Sequence, residues 1–89
     1  MPVKSSNGNM ESGNHRKALV ELAWYRMPFG KYKGNYLLSL PLEYLLWFRQ
    51  KGFPEGRLGD QMRMMLEIKE NGLEGLIHQI RKEFPRDPA

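Results

Sequence analysis

The sequence predicts a small α+β domain, mostly helical, in which one short β-hairpin packs on three to four helices. Three observations predict it. Apolar residues recur at helical spacing through the second half of the chain. Between residues 27 and 40 that periodicity gives way to glycines and aromatic rings, the composition of a chain reversal. With 89 residues and no cysteine, the chain has material for one core and no disulfide or thiolate metal site to support it.

Residues 1–14 read as a polar tail. Asn, Ser and Gly dominate, and Val3 and Met10 supply too little apolar surface to order a backbone. A single globular domain is expected over residues 15–85, followed by a short C-terminal tail at 86–89. The domain opens with a helix over His15–Tyr25, where Leu19, Leu22 and Ala23 share a face and Asn14 stands at the N-cap position. Pro28 disfavours helix at Met27, so the helix must end by about Arg26. Two short strands, near Tyr25–Phe29 and Lys33–Leu37, are expected around a turn at Gly30–Lys31, with positive φ at one or both of Gly30 and Gly34.

Pro41 suits the first turn of the next helix, where its missing N–H costs nothing, and Gly52 suits its end. Leu42, Leu45, Leu46 and Phe48 line that helix, with Tyr44 and Trp47 on adjoining stripes. A helix apolar nearly all round belongs in the core, so Trp47 is expected buried against the hairpin and the last two helices. After the turn Phe53–Pro54–Glu55–Gly56, Leu58, Met62, Met65, Leu66 and Ile68 mark a third helix to Glu70. Leu73, Leu76, Ile77, Ile80 and Phe84 mark a fourth. The methionines of the third helix read as core filling, with a pliable groove for partner helices as the competing reading.

Charge is distributed unevenly. The net charge is +4. The stretch from Arg26 to Arg57 alone carries six basic residues against two acidic ones, together with seven of the ten aromatic rings. Basic residues interleaved with rings are what a nucleic-acid surface requires, cations for phosphates and rings for bases. The same composition also arises when rings fill a core and lysines solvate a turn. Catalytic chemistry finds little material. His15 and His78 are isolated, Glu67, Glu70 and Glu74 form a solvated helical stripe, and no group has metal-ligand spacing. Gly30–Gly34 lacks the Gly-Lys-Ser/Thr ending of a nucleotide loop. No catalytic residue, metal or cofactor is expected.

What remains is a glycine-bracketed tip presenting Lys31 and Lys33 on one face and Tyr32 on the other. Arg26, Lys51 and Arg57 extend this basic set, and Tyr36 and Phe53 join Tyr32 as rings able to stack on bases, provided the Phe53–Gly56 turn lies beside the tip.

The stretch Met27-Pro-Phe-Gly-Lys-Tyr-Lys-Gly34, then Leu40-Pro41, Tyr44-Leu45 and Trp47-Phe48, is distinctive. It continues through Lys51-Gly-Phe-Pro54, Leu58-Gly59 and Glu67-Ile-Lys69 to Asn71-Gly-Leu73. Over about Leu19 to Arg81 the chain resembles a family of small bacterial proteins of unknown function labelled quorum-sensing-regulated virulence factors. Its Phe29–Trp47 part also resembles a module at the C-terminal end of exodeoxyribonuclease X-like proteins. That resemblance implies an association with DNA metabolism and carries over no catalysis, because the nuclease carboxylates belong to a separate domain.

The expected function is a non-catalytic module that binds nucleic acid, single-stranded or at a junction, through Arg26, Lys31, Tyr32, Lys33, Tyr36, Lys51, Phe53 and Arg57. The alternative is a protein-interaction adaptor or regulatory protein acting as a homodimer or on another protein. No apolar run approaches a membrane span and Met1–Ser12 is polar, so the expected location is the cytoplasm.

Overall fold

The computed structural model describes residues 16–85. The tails expected at 1–14 and 86–89, and His15, lie outside the described residues. Four helices follow one another: α1, described over residues 16–23, α2 (Leu42–Lys51), α3 (Arg57–Glu70) and α4 (Glu74–Glu83). A short 3₁₀ turn, Leu37–Ser39, precedes α2. The described domain is therefore all-α.

The predicted β-hairpin does not form. Met27 N–H donates to Asn35 C=O (2.8 Å), Gly34 N–H to Met27 C=O (2.7 Å) and Leu37 N–H to Tyr25 C=O (2.9 Å). The chain thus reverses where expected, but the pairing amounts to one antiparallel bridge, Arg26 with Tyr36, and no strand occurs among the described residues. The reason is local. α1 runs to residue 23, Pro28 removes a ladder donor on one side, and the 3₁₀ turn begins at Leu37 on the other. One register pair is all that fits between them. Gly30 and Gly34 do take positive φ, +79° and +89°.

The core collects one face from each element. Leu22 and Ala23 come from α1, Met27 and Leu37 from the two sides of the bridge, Leu45 from α2, and Ile77 from α4. Met62 and Met65 of α3 are fully buried at their centre, as core filling predicts. α3 packs against α2 and against the 3₁₀ turn. Lys69, with a side chain only 9% exposed, donates from Nζ to the Leu38 carbonyl (2.7 Å) and lies 3.6 Å from Glu74 Oε2. It ties α3 to the turn and to the start of α4.

Trp47 departs from expectation: it is 51% exposed. α2 buries one residue fully, Leu45, and half-buries Leu46 and Phe48. Trp47 stands two positions from Leu45, about 200° around the helix, and so faces outward. The hairpin meant to cover it is absent.

Candidate functional site

The loop 29–34 is rooted on a line of rings. Tyr32 meets Tyr44 edge-to-face with centroids 4.6 Å apart, Tyr44 meets Phe48 at 5.2 Å, and Phe48 meets Trp47 at 5.1 Å. Edge-to-face contacts at these spacings let the positive rim of one ring meet the negative face of the next. Lys31 caps the line at the loop, with Nζ 5.5 Å from the Tyr32 centroid. The half-exposed Trp47 ends it on α2, with Lys51 one helical turn beyond. Gly30 lies where the line meets the loop, and a Cβ there would come within 3.3 Å of the Tyr44 hydroxyl. Positive φ and close approach both require glycine at this position.

Lys31, Lys33 and Lys51 are exposed, and none has a carboxylate partner among the described residues. Lys31 and Lys33 flank Tyr32 in a turn rather than a strand, so Lys31 lies over the Tyr32 ring instead of on the face opposite it, and the ring line connects the loop to the helix that carries Lys51.

The other predicted residues occupy different surroundings. Arg26 is exposed, its guanidinium 4.6 Å over the Tyr36 ring and its Nη2 donating to the Tyr36 hydroxyl (2.7 Å). Tyr36 also holds the Arg81 guanidinium, 4.5 Å from its centroid, while Arg81 stacks on Trp24 at the same distance and donates from Nε to the Ala23 carbonyl (2.9 Å). Phe53 is half-buried beneath Arg63, at 5.2 Å. Arg57 donates from Nε and Nη2 to the Glu21 carboxylate, at 2.6 and 3.0 Å, and so joins α3 to α1. That hydrogen bond holds the Glu21 carboxyl below its usual range against the opposing effect of burial. The Phe53–Gly56 turn lies against α3, where Pro54 C=O occupies the space a Cβ on Gly59 would take.

Two features escape a reading of the sequence. The Trp24–Tyr36–Arg81 cluster joins residues from distant parts of the sequence, and the Trp24 Nε1–H bond to Phe84 C=O (2.8 Å) spans 60 positions. Trp47 as an outward ring is the second, because a helix apolar nearly all round does not show by periodicity which side α3 covers. An open cleft of about 420 Å³ lies beside Trp47, lined by Glu43, Leu46, Arg49 and Gln50. Among the described residues no group of His, Asp or Glu has the geometry to hold a metal ion, and no helix is long and apolar enough to cross a membrane.

Residues 15–80 match the model of the family described as "Putative quorum-sensing-regulated virulence factor". The chain belongs to this family. It is also 48% identical over 68 residues to the uncharacterised protein YpeB of Escherichia coli strain K12, a match spanning 75% of this chain and 94% of that protein. The same identity and coverage hold for YpeB of Escherichia coli O157:H7. No solved structure matches significantly. The matched segment includes the loop 29–34 and all of α2, so the family similarity spans the elements that build this surface.

Proposed function

We propose that this family member is a non-catalytic module that binds nucleic acid through Lys31, Lys33 and Lys51, and acts in the cytoplasm. The observation that carries the reading is the set of exposed lysines without carboxylate partners, arranged about a continuous line of rings. An ammonium with no protein counter-charge is free to neutralise a phosphate, and the cations condensed on the polyanion are then released into solution, which favours binding. The loop glycines leave room for a phosphate backbone to approach.

A salt titration tests it. With labelled oligothymidylate, log affinity should fall linearly with log salt, with a slope of about −0.7 for each phosphate contacted. Absence of salt-dependent retention at low ionic strength would rule out nucleic acid. A protein partner, meeting the exposed Leu73 and Leu76 of the α4 region, would then be the reading to pursue.

A further inference from the structure

We infer that Trp47 is the base-stacking platform of this surface and makes it selective for single-stranded over double-stranded nucleic acid. The inference deepens the proposed function and rests on it. One line of ring contacts in the basic third of the chain, Tyr32–Tyr44–Phe48, leads to Trp47, and Trp47 and Phe29 are its two large exposed rings, of which Trp47 has a ring bracing it. Tyr32 turns its ring onto Tyr44, Tyr36 lies under two guanidinium groups, and Phe53 lies under Arg63. These rings are already engaged by the fold. Trp24, the other indole, is stacked under Arg81 and donates its N–H to Phe84 C=O. Trp47 keeps half its surface in water while Phe48, at 5.1 Å and 86° between planes, braces it from below. A braced, exposed indole loses little side-chain freedom on stacking, which favours its use as a platform.

The charges around it orient the occupant. Lys51 follows one turn along α2 and has no carboxylate partner, whereas Glu43 precedes by one turn on the opposite side of the ring. Arg49, between them in sequence, is paired with Glu70 at 3.1 Å. A phosphate is repelled at Glu43 and attracted at Lys51. A strand on this surface therefore places its backbone toward Lys51 and a base on the indole, over the cleft that Gln50 lines. Stacking of this kind requires a base whose face is free. In a duplex both faces are covered by neighbouring base pairs, so only unpaired bases gain from Trp47.

The test uses the full chain with oligothymidylate and with a duplex of the same length. Single strands should quench tryptophan fluorescence, and the duplex should not. Trp47→Ala should weaken single-strand binding by about 5- to 150-fold while leaving its salt slope and the duplex affinity unchanged. Trp47→Phe should recover part of the loss, and melting curves of both variants should stay close to that of the parent. If Trp47→Ala binds single strands as tightly as the parent while Lys31→Ala with Lys33→Ala binds more weakly, the stacking role is refuted and the lysine surface stands. Equal affinity of the parent for both forms refutes it as well. If the parent binds neither form, the stacking role and the proposed function fall together.

Discussion

Two sets of cations on this small domain have opposite surroundings. On α2 and α3, arginines are answered by carboxylates: Arg49 by Glu70, Arg57 by Glu21 and Arg63 by Asp60, at 2.6 to 3.1 Å. The buried Lys69 has Glu74 and the Leu38 carbonyl. On the loop 29–34 and at the end of α2, Lys31, Lys33 and Lys51 have no such answer among the described residues. In the first set Arg49 joins α2 to α3, Arg57 joins α3 to α1, and Arg63 pairs within α3. The second contributes little to folding and adds to the net charge of +4. A cation's place in the sequence does not reveal which role it has; its partner does.

That contrast is most strongly tested where a contact is buried. Gly59→Ala would set a methyl group on the Pro54 carbonyl and push the Phe53–Gly56 turn off α3. A loss of about 1–3 kcal/mol in denaturant unfolding is expected. Lys69→Met keeps the stem and removes the donor, leaving the Leu38 carbonyl without its ammonium. The expected cost is also about 1–3 kcal/mol, read by the same measurement. A neutral Lys69→Met would place Lys69 with the solvated lysines and erase the distinction.

Among the paired arginines, Arg57 should show a smaller, pH-dependent effect. Because the Arg57 hydrogen bond lowers the Glu21 carboxyl, the pair stabilises the fold fully above the ordinary glutamate value near 4.5. The contribution fades as pH falls through the lowered value. Arg57→Ala should therefore reduce stability slightly at neutral pH and flatten the stability profile on its acid side, measured by thermal melts across that range. An acid limb identical to the parent's would mean the pair contributes nothing. Lys31→Ala and Lys33→Ala should have the smallest effect on stability, with melting temperatures close to the parent's.

Much of the helical frame was legible in the sequence. Leu58, Met62, Met65 and Leu66 fall on one stripe because α3 has one buried face, and Pro41, Gly52 and Asn71–Gly72 mark helix ends by backbone chemistry that needs no tertiary context. The hairpin was misjudged because turn chemistry at Gly30 and Gly34 announces a reversal without saying how many residues pair beyond it. Trp47 was misplaced for a related reason. When Leu42, Tyr44, Leu45, Leu46, Trp47 and Phe48 are all apolar, periodicity no longer tells which side is buried, and α3 decides. Lys31 and Lys33 were legible as a basic tip. Their lack of counter-charge was not, since nothing in the sequence separates them from Arg57, which Glu21, 36 residues earlier, holds.

The central claim is that Lys31, Lys33 and Lys51, cations without carboxylate partners, form the working surface, and the salt dependence of single-strand binding tests it most directly. The comparison is between Lys31→Ala with Lys33→Ala and Arg49→Ala with Arg63→Ala, two variants that remove the same formal charge. The lysine pair should make the slope of log affinity against log salt shallower by about 1.4, at about 0.7 for each lost phosphate contact, and the arginine pair should leave that slope unchanged. Equal changes in slope for the two variants would show that only total charge matters, and would contradict the account.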